Sequence, residues 1–185
     1  MGREYDKIEK TKKAEKLMRL IILGAGGFGH VVADLARQSG TYEEIFYLDD
    51  GKMGPEILDR CETFAAYIDE NTQLYPAFGN NAGHVAWLDR LEAAGAQIPT
   101  IIHPRAYVSP ESVVEPGNMI LPMAIVNTGC RICRGCIIDC AAVVDHGCVL
   151  EEGIHLASGS VVRAENRVPR LTLLEANKVI FPRSF

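Results

Sequence analysis

The sequence predicts a two-part protein: an α/β unit with a parallel sheet, similar to half of a Rossmann fold, followed by a parallel β-helix of six-residue repeats. Two observations predict this fold class. An apolar run, a glycine-rich turn and a helical stretch follow one another near the start, and an aliphatic residue recurs every six positions from Val108 to Ile180. We predict a charged arm over residues 1–17, the α/β unit over 18–103 and the β-helix over 104–185.

The six-residue period covers the second half of the chain. The aliphatic positions are Val108, Val114, Ile120, Val126, Ile132, Ile138, Val144, Leu150, Leu156, Val162, Val168, Leu174 and Ile180. Neither a helix nor an alternating strand has this period. Each hexad therefore predicts a short strand with its aliphatic side chain inward and a turn with a small residue at the corner. Three hexads close a triangular coil of about eighteen residues. Before the small residue, seven hexads carry a residue that tolerates positive φ: Gly117, Gly129, Gly135, Gly147, Gly153, Gly159 and Asn177.

The α/β unit begins at Met18 and alternates strands with helices. We predict strands at 18–23, 45–48, 74–78 and 98–102, and helices at 31–38 and 84–94. In the glycine-rich turn, Gly24, Gly26 and Gly29 fit the fingerprint of dinucleotide-binding folds. Asp49 or Asp50, at the end of the second strand, lies where a ribose hydroxyl would be bound. A unit of this length holds one mononucleotide-binding half, which suits a nucleotide with one ribose.

The cysteines show a spacing that resembles an iron–sulfur motif, Cys130-x2-Cys133-x2-Cys136-x3-Cys140. The hexads explain most of it, because three cysteines share the small corner position with two alanines: Cys130, Cys136, Cys148, Ala124 and Ala142. We therefore predict small buried residues rather than metal ligands, and we expect no metal.

Two histidines are candidates for chemistry. His146 lies in a turn between Asp145 and Gly147, and His155 precedes the inward Leu156, so both rings should point outward. An outward imidazole near a corner can act as a general base, although a surface histidine without function is the alternative. His30 would contact a nucleotide or cap its helix. His84 is predicted on a helix face and His103 in the linker.

Charge and hydropathy exclude several classes. A net charge of −5 and a pI near 5.5 argue against a nucleic-acid partner. No apolar run approaches the roughly 20 residues that span a bilayer, so we expect no membrane insertion. The N-terminus has no apolar segment typical of a secretory signal, and we expect a cytoplasmic protein.

Five motifs in a fixed order resemble one known family. GAGGFGH, YLDD, FGNN, IIHPRAYVSPES and VVDHGCVLEEGIHLASGS, spanning about residues 18–160, are similar to bacterial sugar acetyltransferases that join a nucleotide-sugar-binding domain to a left-handed parallel β-helix. That family includes sialic acid O-acetyltransferases and UDP-4-amino-sugar N-acetyltransferases. The resemblance implies a homotrimer that binds acetyl-CoA and a nucleotide sugar in a cleft between adjacent β-helices.

The resemblance also implies roles for individual residues. His146 matches the general base of a direct transfer. Gly147 stands where relatives carry an acid, so Asp145 would orient the ring instead. His155 and Gly159 would bind acetyl-CoA, and the nucleotide sugar would be bound by Gly24, Gly26, Gly29, His30, Asp49 and Asp50. Three alternatives stay open: a non-catalytic trimeric nucleotide-sugar-binding protein, an NAD-dependent oxidoreductase, and an enzyme with a cysteine nucleophile.

Overall fold

The computed structural model describes residues 18–181 and has the predicted two-part architecture. The predicted arm at 1–17 lies outside the described residues. The N-terminal unit contains a parallel sheet of β1 (Met18–Leu23), β2 (Tyr42–Leu48), β3 (Ile57–Asp59) and β4 (Thr72–Pro76), in the order β3-β2-β1-β4. Helix α1 (Gly27–Ser39) follows β1, a 3-10 helix (Cys61–Tyr67) follows β3, and helix α2 (Asn81–Ala93) follows β4.

Burial explains why β1 is an uninterrupted apolar run. The strand lies between β2 and β4, and its residues from Leu20 to Leu23 are fully buried. Helix α1 begins four residues earlier than the sequence pattern predicts, because the glycine-rich turn ends at the helix N-cap, Gly26.

The β-helix is a triangular prism of two-residue strands. Its first face contains β5 (Ile101–Ile102), β8 (Met119–Ile120), β11 (Ile137–Ile138), β14 (His155–Leu156) and β17 (Leu173–Leu174). The second face contains β6 (Tyr107–Val108), β9 (Ile125–Val126), β12 (Val143–Val144), β15 (Val161–Val162) and β18 (Val179–Ile180). The third contains β7 (Val113–Val114), β10 (Arg131–Ile132), β13 (Val149–Leu150) and β16 (Arg167–Val168). The predicted inward positions from Ile120 to Val168 form one buried core, which confirms the hexad frame.

One strand prediction was wrong. The segment 98–102 was expected to complete the N-terminal sheet, but only Ile101 and Ile102 form a strand, and they pair with β8 of the first face. The Ile101 amide donates to the Asn118 carbonyl at 2.9 Å. These residues thus begin the β-helix, because their partners are supplied by the coil that follows.

The corners of the prism repeat one backbone conformation. Every sixth residue from Gly117 to Asn177 has positive φ. This confirms the prediction for the six glycines and Asn177. Four further corners adopt the same conformation without glycine or Asn: Met123, Ala141, Glu165 and Leu171. A side chain with positive φ strains the backbone, so the neighbouring coils must impose the turn at these positions.

Helix α2 packs along one edge of the prism that we call the glycine edge, formed by Gly117, Gly135 and Gly153. A Cβ atom on Gly135 would lie 2.6 Å from Leu88 Cδ1, and one on Gly153 would lie 2.5 Å from Val85 Cγ2. Glycine is therefore required there by the close approach of the helix as well as by φ. The N-terminal unit also covers the first face, where Met119 and Ile137 share a core with side chains of α1.

Candidate active site

His146 lies in the turn between the second and third faces, and Asp145 holds its ring. One Asp145 carboxylate oxygen, Oδ1, accepts from the His146 backbone N–H at 2.8 Å and lies 3.1 Å from the ring Nδ1. Asn127, one coil earlier, donates to the same oxygen at 3.3 Å. The hydrogen bonds from the backbone N–H and the ring of His146 lower the pKa of Asp145. A carboxylate on Nδ1 favours the tautomer with a free lone pair on Nε2, which is the arrangement of a general base.

The His146 ring is open to solvent. Its side chain is 54% exposed, whereas the Asp145 side chain is 29% exposed. A substrate can therefore approach the ring directly, while the orienting carboxylate is partly buried, with Asn127 of the preceding coil and Arg163 of the following coil beside it.

A second acid–imidazole pair lies at a different edge. Asp139 follows β11 in the turn to the second face, and its Oδ2 lies 3.9 Å from His155 Nε2. The neighbouring His155 ring holds the pKa of Asp139 at about 2, so this carboxylate is ionised throughout the physiological range. His155 Nε2 is covered and has no hydrogen-bond partner among the described residues. Its predicted contact with acetyl-CoA stays a prediction.

The structure does not place the two histidines on one edge of the prism. His146 lies where the second face meets the third, and His155 lies on the first face beside the turn that leads to the second. The predicted cofactor residue Gly159 lies in that same turn. The Asn177 side chain of the next coil fills the space beside Gly159, where a Cβ atom would lie 2.5 Å from Asn177 Oδ1. The repeat alone therefore accounts for this glycine.

The predicted nucleotide-binding glycines have different structural roles. Gly24 has φ of +103°, and a Cβ atom on Gly29 would lie 2.0 Å from the Gly24 carbonyl oxygen, so these two are fixed by the turn and by the packing of α1. A Cβ atom on Gly26 would meet nothing within 4 Å. Gly26 therefore leaves open space in front of the α1 N-terminus, where a phosphate could approach the backbone.

The two aspartates at the end of β2 are both engaged within the chain. Asp49 accepts from the backbone N–H groups of Ala25, Gly51 and Lys52 at 2.7, 2.9 and 2.8 Å. Asp50 accepts from the Cys61 N–H at 3.1 Å and is exposed. Asp49 thus shapes the loop that faces the glycine-rich turn, and its predicted contact with a ribose stays a prediction, as does that of Asp50.

His30 lines an open pocket of about 250 Å³ beside this loop. Its Nδ1 lies 3.2 Å from the Tyr47 hydroxyl, and Lys52 is a further lining residue. The Lys52 ammonium donates to the Ala25 carbonyl at 2.5 Å. Sequence reasoning missed this lysine, although a cation two residues after an Asp pair at a strand end was the available signal.

The cysteines lie where the hexad frame predicts. Three of them belong to the β-helix core together with the two alanines of the same corner position: Cys130, Cys136, Cys148, Ala124 and Ala142. All six cysteines are unpaired. Between residues 18 and 181 no group of three or more His, Cys, Asp or Glu side chains is arranged to hold a metal ion. The described helices include none long and apolar enough to cross a membrane.

Comparison with known proteins identifies the family. The PglD N-terminal domain family matches residues 19–91. The acetyltransferase domain of PglB from Neisseria gonorrhoeae FA1090 is 31% identical over 87% of this chain and 84% of that chain, with a TM-score of 0.75. The same domain solved with acetyl coenzyme A is 30% identical over 88% of this chain and 84% of that chain, with a TM-score of 0.75. A mutant of perosamine N-acetyltransferase from Caulobacter crescentus, solved with CoA and GDP-perosamine, shares the fold at 23% identity over 88% of both chains, with a TM-score of 0.74. No curated protein matches the chain. The PglD-type domain, the β-helix and the PglB relative agree, and the chain belongs to the sugar acetyltransferases that join such a domain to a left-handed parallel β-helix.

Proposed function

We propose that this chain is an acetyl-CoA-dependent acyltransferase that acetylates an amino or hydroxyl group of a nucleotide-linked sugar in surface glycan biosynthesis, with His146 as the general base. One observation carries the proposal: at a corner of the prism the His146 imidazole is exposed and is held at Nδ1 by Asp145, which leaves Nε2 as the ring nitrogen for a substrate. The PglB relative, solved with acetyl coenzyme A, supports the choice of donor.

The transfer proceeds directly. His146 Nε2 accepts a proton from the amine or hydroxyl as that atom attacks the thioester carbonyl, and Asp145 stabilises the imidazolium that forms. The new C–N or C–O bond forms, the C–S bond breaks, and the proton passes to the departing CoA thiolate. No residue is acylated, which sets this proposal apart from a cysteine nucleophile. Cys130, Cys136 and Cys148 are buried in the prism and could not reach a substrate. Cys140 is exposed, but partial burial and the neighbouring Asp139 raise the pKa of its thiol, which disfavours the thiolate that a nucleophile needs.

The N-terminal unit would bind the nucleotide portion of the sugar. Its open space at Gly26, its α1 N-terminus and the pocket lined by His30 and Lys52 lie on one side of the sheet, at the carboxyl ends of the strands. We propose that Asp49 and Asp50 border this site through the loop that they anchor. His155 and Gly159 would lie on the acetyl-CoA side.

A trimer would complete the site. The outward positions of the second face form an uncharged apolar stripe: Tyr107, Ile125, Val143, Val161 and Val179. The third face instead alternates valine with arginine at these positions. His146 flanks the stripe at one edge, and Asp139 and His155 flank it at the other. Packing of copies through this stripe in a homotrimer would bring His146 of one copy toward the Asp139–His155 pair of the next.

The trimer is tested by charge placed in the stripe. Val161→Lys should give monomers in sedimentation velocity and lose acetyl transfer, since a buried unpaired ammonium opposes the contact. Val113→Lys, on the exposed part of the third face, is the matched control and should stay trimeric. A wild-type monomer that is fully active would refute the composite site.

The reaction is tested by a screen. UDP-linked amino and neutral sugars, together with GDP-perosamine, are incubated with acetyl-CoA, and the release of free thiol is followed. We expect His146→Ala to abolish transfer while the circular dichroism spectrum is unchanged. Full activity in that variant would refute the base assignment.

The alternative is a non-catalytic nucleotide-sugar-binding protein. Calorimetry with acetyl-CoA separates the two, since an enzyme gives a saturable heat and a binding protein without a CoA site gives none. The six unpaired cysteines fit a reducing compartment, and we propose that the protein acts in the cytoplasm.

A further inference from the structure

Glu165 lies one coil after His146, at the same edge of the prism. Its backbone N–H donates to the His146 carbonyl at 2.9 Å. Its side chain folds back over Gly147, so that a Cβ atom on Gly147 would lie 3.4 Å from Glu165 Cγ. The Glu165 stem therefore lies against Gly147, directly beside the residue that we propose as the base.

The backbone of Glu165 is held in an unfavourable conformation. Its φ is +59°, while the two preceding corners of this edge are Gly129 and Gly147. A glycine would relieve the strain and would fit the repeat. The side chain is exposed, and its carboxylate has no hydrogen bond or ion pair with any of the residues that the structure describes. Contacts within the fold therefore do not explain why the residue at this corner is a glutamate.

We propose that Glu165 is an acceptor-binding residue of this site: its carboxylate accepts a hydrogen bond from an N–H or O–H group of the sugar held beside His146. The inference rests on the proposed function. An ionised carboxylate only accepts hydrogen bonds, so its partner must be a donor. The sugar offers hydroxyl and amino donors, and His146 takes its proton from one of them. Both substrates carry phosphates, so the assignment to the acceptor rests on position: Glu165 lies beside the proposed base, where the reacting group of the sugar is held.

Charge and strain are separated by two substitutions. Glu165→Gln keeps the stem and the strain but removes the charge. Glu165→Gly removes the carboxylate and relieves the strain. Met123→Gly is the matched control, because Met123 has φ of +63°, is exposed and lies at a different edge.

The variants are assayed with the sugar that gives the highest turnover in the screen. For Glu165→Gln we expect the acceptor KM to rise about tenfold or more, as for the loss of one hydrogen bond to a charged group, with the acetyl-CoA KM unchanged. Calorimetry of the same sugar without acetyl-CoA should show the same loss of affinity. Glu165→Gly should combine that defect with a Tm higher by roughly 2–4 °C. Met123→Gly should show the higher Tm with no change in the acceptor KM.

The outcomes distinguish this inference from the function on which it rests. An unchanged acceptor KM in Glu165→Gln, or a rise confined to the acetyl-CoA KM, overturns the role of Glu165 and leaves the enzyme intact. A Glu165→Gly variant that loses both stability and acceptor affinity points to a structural role and also overturns it. If no sugar in the screen is acetylated, the proposed function fails and this inference fails with it.

Discussion

His84 should make the stability of this protein depend on pH in a defined window. The side chain lies on α2, 1% exposed, against the glycine edge, and its Nδ1–H donates to the Pro76 carbonyl at 2.9 Å. Burial lowers the pKa of His84 from 6.5 to about 4. In the unfolded chain the ring takes up a proton as the pH falls through about 6.5, but the folded protein resists protonation until about 4. The stability is therefore full above pH 6.5 and is lost as the pH falls toward 4.

The magnitude follows from the shift. A difference of about 2.5 pKa units at about 1.36 kcal/mol per unit gives a loss of about 3 kcal/mol between pH 6.5 and 4. The assay is urea unfolding at several pH values for the wild type and for His84→Asn, whose amide N–H can still donate to Pro76 but does not titrate. Other titrating groups are common to both proteins, so they cancel in the difference. The free energy of unfolding should fall about 3 kcal/mol further in the wild type, and parallel curves would refute the reasoning.

Three further substitutions test the fold. Gly29→Ala should prevent the N-terminal unit from folding, because its Cβ atom would lie 2.0 Å from the Gly24 carbonyl oxygen. The control Gly26→Ala should leave the circular dichroism spectrum and the Tm unchanged, because a Cβ atom there meets nothing within 4 Å. Equal Tm values for the two variants would contradict the packing argument. Arg134→Met should lower the free energy of unfolding in urea by about 1–2 kcal/mol. The Arg134 side chain is only 27% exposed and pairs with Asp89 and Glu92 of α2 and with Glu152 of the prism. Arg131→Met is the control, because Arg131 is more exposed and forms an ion pair, among the described residues, with Glu115 alone, and it should cost less than about 0.5 kcal/mol. Cys136→Ala should cost about 1 kcal/mol in the same assay and leave acetyl transfer unchanged, and a total loss of activity would show that this cysteine does more than fill the core.

The six-residue period predicted the inward positions of the prism because each two-residue strand and the turn after it are specified by the residues of one hexad. The same frame separated Cys136 from a metal motif and placed His146 in a turn. Periodicity could not predict that Glu165 or Leu171 would adopt positive φ. These residues have no intrinsic preference for that conformation, and hydrogen bonds from the neighbouring coil impose it: the Leu171 N–H donates to the Glu152 carbonyl at 2.9 Å.

Long-range packing accounts for the other differences. His84 was predicted on a helix face, but a helical pattern does not show which other element of the protein packs against that face. The structure buries it between α2 and the prism. His103 was predicted in the linker, yet its Nε2 lies 2.8 Å from Gln38 Oε1 of α1, and the residue is 5% exposed. Strand 98–102 was misplaced for the same reason, since an apolar run does not indicate which sheet will accept it.

The glycine edge fixes the height of the N-terminal unit on the prism. Helix α2 contacts three glycines spaced eighteen residues apart, with Leu88 at Gly117 and Gly135 and Val85 at Gly153. A whole coil inserted between the first and last of these glycines would separate contacts that a rigid helix must make together. A coil added after Val179 would extend the prism and leave the docking of α2 unaltered. The prism of this chain can therefore lengthen at its C-terminal end without moving α2, and the distance between the glycine-rich turn and the corner of His146 is held constant.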